Sequence, residues 1–433
     1  MNRRESRLRF RPWQLLLLVM LGGLTLTAGR WLHLGFLLAG DAFGYFAPAW
    51  SLFSDGDFVT TDEFLHFTQT DPQRYSGSLH PTSPQSPGMT FLLMPALVPA
   101  WLLGLGPLGY ELLWSVAAVA VGWAGVWFMY RTVREHGIGG WAAAWAVTAA
   151  VTATPVSYYL VLEVGMAHAT SAALVAATLW VWLGRPWGRH AGWAAALALL
   201  LGVAIWVRPQ NVTFAALIPA GWWLHRGRRP QIRCLVIAAA APVLGLAFTL
   251  GAEWLQGIGF GEASLVQQGQ IDKPDRGFDF AKPAFDNVLL WGQRPIFFWH
   301  PMLLLVAAGL VVGVRTRPRV AVPLVLVLIL NLYIIASWFV GWQGASVGTR
   351  MLSNGTAVYA LALAWLFTTV PAGRPRKWLA GAAVACLLWS GWMTLLYLAN
   401  RVPIAQPVTI RQVLLLDPRD PATIEMDHDA PRS

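Results

Sequence analysis

Long apolar runs, separated by short polar segments, follow one another along most of the chain. A helix needs roughly 20 apolar residues to cross a bilayer. The runs therefore predict an all-α polytopic membrane helix bundle of about 11 transmembrane helices, with a long first outer loop that carries juxtamembrane helices. The predicted spans are about 13–29, 108–130, 141–157, 166–184, 191–207, 211–224, 234–251, 296–314, 320–338, 351–370 and 378–398.

Composition excludes a soluble enzyme and a disulfide scaffold. Hydrophobic residues make up 56% of the 433 positions and charged residues 12%, whereas soluble domains are about 25% charged. Cys234 and Cys386, the two cysteines of the sequence, lie inside apolar runs, where cysteine packs as a small hydrophobe. No polar stretch is long enough for a separate soluble catalytic domain.

Basic residues alternate along the chain in a way that predicts the topology. Because cytoplasmic loops collect Lys and Arg, the basic clusters at 3–11, 131–134, 185–189, 226–233, 315–319 and 374–377 share the cytoplasmic side. This parity requires that the Pro-containing run 89–106 lies on the outer surface without crossing. We expect an inner-membrane protein with a cytoplasmic N-terminus. Residues 1–398 form its transmembrane domain, with outer loops at 40–107 and 252–295, and 399–433 form a polar outer tail.

The first outer loop carries the first group of candidate residues. Asp41 stands at the membrane–water boundary, where partial desolvation favours a catalytic base; the local sequence alone favours a helix N-cap. Asp55 and Asp57 could form a metal-binding pair or an ordinary Asp-Gly turn. His80, like His66, could contact a phosphate or a metal, or could be a polar loop residue.

The other predicted outer turns carry the second group. Glu163 is a functional candidate because an acid at such depth is costly, or it is a structural partner of Arg208. Arg208 suits a phosphate or snorkels to the interface. His300, Trp342 and Arg350 lie at further span ends. His300 suits contact with a phosphate, Trp342 suits stacking on a sugar, and Arg350 suits an anion. Alternatively, all three are ordinary interface residues. Together these side chains outline a site for an anionic lipid headgroup.

Several short motifs occur along the chain: Gly40-Asp41 with Tyr45, the stretch 51–58, Ser86-Pro87-Gly88, Arg208-Pro209, the stretch 295–301 and the stretch 342–350. Together they resemble the motifs of the bacterial GT-C superfamily of integral-membrane glycosyltransferases, relatives of protein mannosyltransferases and aminoarabinose transferases. The superfamily also has juxtamembrane helices after its first span. Two departures are Ala42, where an acid is common, and the absence of Lys or His at 83–86.

The resemblance implies a hexosyl- or pentosyltransferase that uses a polyprenyl-phosphate sugar donor, a membrane lipid. The sugar would pass with inversion to a hydroxyl of an envelope glycan, lipid or protein, on the non-cytoplasmic face. Asp41 matches the catalytic aspartate, and Glu163 falls where relatives carry a second acid. The expected substrate contacts are Tyr45, His80, Glu163, Arg208, His300, Trp342 and Arg350.

Two other functions remain open at this point. A flippase for lipid-linked sugars would place its polar groups near mid-bilayer, whereas the candidates here stand at span ends. A non-catalytic subunit would need neither Asp41 nor Glu163. No cofactor is required by this hypothesis, and a divalent metal at Asp55 and Asp57 stays open. Nucleic acid is not an expected partner, because the basic residues alternate with spans.

Overall fold

A computed structural model describes residues 11–35, 38–70, 85–224, 230–255, 278–291, 294–338, 346–399, 401–402, 408 and 413–414. Within these ranges the protein is helical, and its β structure is one isolated bridge between Phe278 and Trp338. This confirms the predicted all-α class. Seven helices of the described ranges are long and apolar enough to cross a membrane, so the chain is a multi-pass membrane protein.

The α-helices are numbered in chain order. They are α1 (Pro12–Leu34), α2 (Asp41–Ser54), α3 (Thr61–Thr70), α4 (Gly88–Leu93), α5 (Val98–Leu102), α6 (Pro107–Glu135), α7 (Gly140–Thr152), α8 (Val156–Val161), α9 (Ala167–Gly184), α10 (Ala191–Val207), α11 (Leu217–Leu224), α12 (Ile232–Ala239), α13 (Ala241–Leu255), α14 (Ile296–Trp299), α15 (Met302–Thr316), α16 (Pro318–Ser337), α17 (Thr356–Thr369) and α18 (Arg374–Leu398). Short 3₁₀ helices at Met94–Leu97, Pro209–Ala216 and Arg350–Gly355 and a π turn at Asn287–Trp291 complete the set.

Two predicted spans begin with a 3₁₀ helix. The run 211–224, predicted as one spanning helix, is a 3₁₀ helix at Pro209–Ala216 (hereafter the Pro209 helix) followed by α11. The run 351–370 begins with Arg350–Gly355 (the Arg350 helix) and continues as α17. These two short helices carry the site.

The run 89–106 forms an interrupted helix over Gly88–Leu102. It belongs to the shorter apolar helices of 10–17 residues and not to the seven candidate spans. Pro95 and Pro99 each stand in the first turn of a new segment of it, where proline is tolerated because the missing N–H would have no helical partner. A short, broken helix fits a juxtamembrane position.

The centre of the bundle is built on small residues. Helices α9 and α17 are mostly buried, whereas α1 and α18 lie at the periphery. A Cβ at Gly309 of α15 would stand 2.1 Å from the Ala362 carbonyl oxygen of α17. Likewise, a Cβ at Gly125 of α6 would stand 2.5 Å from the backbone of Ala173 in α9. Glycine lets these helices approach closely, as is common between membrane helices.

The Ser86-Pro87-Gly88 motif attaches the first loop to the end of α10. The Ser86 hydroxyl donates to the Trp206 carbonyl oxygen at 2.6 Å. At Gly88, a Cβ would stand 2.3 Å from the Trp206 carbonyl carbon, so only glycine fits. The motif therefore packs the loop onto the backbone two residues before Arg208.

Candidate functional site

Asp41 is the first residue of α2, but it does not cap that helix. The N-cap is Gly40, whose φ of 53° lies in the left-handed region that favours glycine. The Asp41 carboxylate instead forms an ion pair with Arg350, with Oδ2 3.1 Å from Nη2. Its side chain is 45% exposed, whereas that of Arg350 is 14% exposed. The carboxylate therefore stands at an opening with the guanidinium behind it.

Arg350 begins the Arg350 helix. The two residues before it, Gly348 and Thr349, pack closely against neighbouring parts of the chain. Gly348 has φ +66°, and a Cβ there would stand 2.7 Å from the imidazole of His300. The Thr349 hydroxyl donates to the Arg294 carbonyl oxygen at 2.7 Å. These contacts explain the glycine and the threonine that precede Arg350 in the sequence.

His300 is buried behind this segment. It is 1% exposed, and its Nε2 lies 3.5 Å from the Val347 carbonyl oxygen. The sequence analysis expected His300 to contact the substrate phosphate. Its contacts here are with the backbone that leads to Arg350, because the left-handed turn at Gly348 brings that backbone onto the ring. The predicted contact of His300 with the phosphate stays a prediction.

Arg208 comes directly before the Pro209 helix. Pro209 lacks a backbone N–H, so the helical hydrogen bonds of α10 end there. Its Nη1 lies against the imidazole of His168, 3.1 Å from Nε2, and its Nη2 donates to Gln210 at 3.3 Å. The His168 Nδ1 lies 3.3 Å from the Ser353 hydroxyl of the Arg350 helix. His168 thus joins the two segments that carry the arginines.

Two tyrosines complete the group. Tyr159 stacks on His168, with ring centroids 4.1 Å apart. Tyr45, one turn after Asp41, is 8% exposed; burial raises the pKa of its hydroxyl, and the positive charges of Arg208 and Arg350 oppose that shift. We call Asp41, Tyr45, Tyr159, His168, Arg208 and Arg350 the Asp41 cluster.

The charges of the Asp41 cluster do not balance. It contains two guanidinium groups and one carboxylate, and that carboxylate pairs with Arg350. Within the described ranges no carboxylate lies at ion-pair distance from Arg208. The buried Nε of Arg350 also lacks an acceptor in the part of the chain that the structure describes. An anion with several oxygen atoms, such as a phosphate, would satisfy both unmatched groups.

Glu163 lies near the cluster, but its partner differs from the one considered in the sequence analysis. Its Oε1 pairs with Nη2 of Arg30, at the end of α1, at 2.9 Å, and not with Arg208. The Tyr158 hydroxyl donates to the same oxygen at 3.4 Å. Burial raises the pKa of the Glu163 carboxyl, and Arg30 opposes the shift. The ion pair links α1 to the α8–α9 turn and leaves Arg208 available.

Asp57 is an ordinary turn residue. Its Oδ1 accepts bonds from the Ser51 hydroxyl at 3.0 Å and from the Val59 N–H at 2.9 Å. One oxygen of the Asp57 carboxylate is thus used within its own loop, and the metal pair of Asp55 and Asp57 stays a prediction. Asp55 lies instead with Asp62 and Glu63. The two remaining sequence candidates, His80 and Trp342, fall outside the described residues.

Sequence reasoning missed Glu111, an acid inside α6 that is 4% exposed. Its Oε1 accepts the N–H of Leu38 at 3.0 Å, three residues before Asp41, and so fixes the chain leading to that carboxylate. The signal was present, because an acid within an apolar run is rare and conspicuous. Arg294 was also missed; it is 1% exposed and lies 4.9 Å from the Trp299 ring centroid.

No family model matches the chain, and no curated relative matches it. Its structure is nevertheless similar to solved membrane enzymes. ArnT from Cupriavidus metallidurans bound to undecaprenyl phosphate aligns with a TM-score of 0.52 at 15% identity, over 90% of this chain and 69% of ArnT. ArnT in the apo state aligns with a TM-score of 0.50 at 17% identity, over 90% of this chain and 63% of that chain.

The archaeal oligosaccharyltransferase AglB from Archaeoglobus fulgidus aligns over 92% of this chain and 56% of its own, at 12% identity and a TM-score of 0.48. The protein thus spans 56–69% of the length of these neighbours. The fold of this chain is thus similar to that of ArnT, as the resemblance drawn from the motifs predicted.

Proposed function

We propose that the protein is a membrane glycosyltransferase that moves a sugar from a polyprenyl-phosphate donor to an acceptor hydroxyl on the non-cytoplasmic face. The observation that carries the proposal is the Asp41 cluster, in which one accessible carboxylate pairs with Arg350 and the positive charge of the second arginine, Arg208, is left unmatched among the described residues. The GT-C fold supports it, as does the undecaprenyl phosphate held by ArnT, a neighbour of the same fold.

In the proposed reaction, Asp41 is the base. Its accessible carboxylate accepts the proton of the acceptor hydroxyl while that oxygen attacks the anomeric carbon. The bond between that carbon and the phosphate oxygen breaks, and the electron pair leaves with the phosphate. Because attack comes from the side opposite the leaving group, the configuration inverts. A phosphate is already a good leaving group, so no protein nucleophile is needed.

Arg208 and Arg350 would hold the phosphate. Arg350 contacts the base through Nη2 and keeps its Nε for a second acceptor, so that one guanidinium can orient both ends of the reaction. Arg208, fixed by His168 and Gln210, would supply the second positive charge. Such preorganised charges stabilise the dianion that develops as the bond breaks. Tyr45 would line the same opening.

The decisive experiment follows release of polyprenyl phosphate by the purified protein in lipid nanodiscs. The protein is incubated with a panel of labelled polyprenyl-phosphate hexoses and pentoses and with crude envelope acceptors. We expect release with one donor class, and a loss of about 10²–10⁴-fold in rate for Asp41→Asn, because a positioned base contributes that much. The donor that reacts identifies the sugar.

Asp57→Asn is the matched control. It removes an acid from the same loop, but the asparagine Oδ1 can still accept the two turn bonds. It should keep wild-type turnover. Equal turnover of Asp41→Asn and the wild type would remove Asp41 from the mechanism. Movement of donors between the leaflets of a vesicle without any release, and without dependence on Asp41, would identify a flippase instead.

A further inference from the structure

Three carboxyl groups meet where α2 ends and α3 begins. Asp55 follows the last residue of α2, and Asp62 and Glu63 lie in the first turn of α3. One oxygen atom from each carboxyl group lies within 4.8 Å of the others. Asp41 stands at the opposite end of α2, roughly 20 Å away along a 14-residue helix. The group is therefore separate from the Asp41 cluster.

Glu63 is the buried member of this group. It is 2% exposed, and its buried Oε2 has no hydrogen-bond donor in the described parts of the chain. No ion pair between described residues includes it. A buried carboxylate is costly unless it is paired with a cation or coordinates a metal, and here its neighbours are two more carboxyl groups.

The local fold explains the acids only in part. Asp62 and Glu63 suit the first turn of a helix, where negative charge is favourable, but this does not supply a donor to the buried oxygen. Asp55 accepts a bond from the Ser54 hydroxyl at 2.9 Å. Asp57, the fourth acid of the segment, is held in its turn by two bonds to Oδ1 and serves as an internal comparison.

We propose that Asp55, Asp62 and Glu63 bind a hard divalent cation, with Ca²⁺ as the best fit. All three ligands are carboxylate oxygens, which hard cations prefer, and no nitrogen or sulfur ligand belongs to the group. Asp55 and Asp62 are exposed, so the cation can enter from solvent and retain water molecules. Bound there, it would join the end of α2 to the start of α3 and neutralise the buried Glu63 carboxylate.

Thermal unfolding of the full-length protein in detergent, after treatment with EDTA and dialysis, tests the site. Ca²⁺ is titrated from micromolar to millimolar, with Mg²⁺ and Mn²⁺ in parallel, and calorimetry gives the stoichiometry. We expect one saturable Ca²⁺ site and a rise in Tm. Glu63→Gln and Asp62→Asn should each weaken the binding at least tenfold. The assay contains neither a sugar donor nor a sugar acceptor, so its result is independent of the proposed transferase activity.

Asp57→Asn is again the control, and it should bind Ca²⁺ as the wild type does. The Tm of each variant in EDTA shows whether it folds, and Asp55→Asn tests the site with Glu63 left in place. Absence of a saturable site, or equal Ca²⁺ affinity in the wild type and all three ligand variants, would overturn the proposal. A saturable response to Mn²⁺ or Mg²⁺ but not to Ca²⁺ would overturn the choice of Ca²⁺.

Discussion

At the scale of single residues, the main feature of this protein is the positive charge of Arg208, which has no carboxylate partner among the residues that the structure describes. Arg30 pairs with Glu163 and Arg350 pairs with Asp41, whereas Arg208 contacts His168 and Gln210. Burial lowers the pKa of the Arg208 guanidinium, and Arg350 lowers it further. A neighbouring anion would oppose both effects and raise the pKa of Arg208 again. Binding of an anionic ligand and the positive charge of Arg208 therefore favour each other.

This argument predicts the effect of Arg208→Gln. The variant should raise the KM for the lipid-phosphate donor roughly 10–100-fold, because a hydrogen bond to a charged group contributes about 1.5–3 kcal/mol. The measurement is polyprenyl phosphate release over a range of donor concentrations. Arg208→Lys keeps the charge but loses the planar, forked guanidinium group. Its KM should therefore lie between that of the wild type and that of Arg208→Gln. An unchanged KM in Arg208→Gln would exclude a phosphate contact.

At the scale of elements, the Pro209 helix and the Arg350 helix are bonded directly to each other. The Asn354 amide donates to Asn211 Oδ1 at 2.8 Å, and the Gln210 amide donates to the Met351 carbonyl oxygen at 2.7 Å. Asn211 in turn donates to Ser171 of α9 at 2.9 Å. Both asparagines are buried. This network sets the separation of the two arginines.

We expect Asn354→Leu to lower kcat/KM for the donor roughly tenfold or more, because it leaves the buried Asn211 oxygen without its donor at a cost of about 1–3 kcal/mol. Asn211→Leu should have a larger effect, because it also removes the bonds to Ser171 and Ala204. The double variant should be little worse than Asn211→Leu, since the bond between the two asparagines is already lost in that single variant. Release kinetics and the unfolding midpoint of each variant complete the cycle.

Thr178→Val is the control for this cycle. Its buried hydroxyl donates to the Leu174 carbonyl oxygen of its own helix, so the variant removes a polar group from the bundle without affecting the contact between the two short helices. Its KM should match that of the wild type. Independent, additive effects of the two asparagine variants would show that the network does not act as one unit.

At the scale of the whole molecule, the position of the helix Gly88–Leu102 decides on which side every later loop lies. We predict that it does not cross the membrane. In a chain with Cys234 and Cys386 replaced by alanine, Leu103→Cys should react with an impermeant maleimide on intact spheroplasts. Gly139→Cys, in a loop with open space around it, should react only after permeabilisation. The reverse pattern would show that the helix crosses.

How much of the fold and of the site could be predicted depends on whether local sequence or tertiary packing determines each feature. The apolar runs and their basic flanks predicted the all-helical membrane fold, and the motifs predicted its likeness to the fold of ArnT. The interruption at Pro209 could be anticipated, because proline cannot continue α10. The 3₁₀ form of the following residues could not, because it depends on the side-chain bonds of Asn211 and Gln210 to other elements.

The sequence by itself determined that Asp41, Arg208 and Arg350 stand at helix ends, because burying an unpaired charge within an apolar span is too costly. Only the tertiary structure decided their partners. Asp41 pairs with Arg350 and Glu163 pairs with Arg30, although the sequence allowed Glu163 to pair with Arg208. The reason is physical: a partner is selected by helix rotation and close packing among residues more than a hundred positions apart, and neither is encoded in any local pattern.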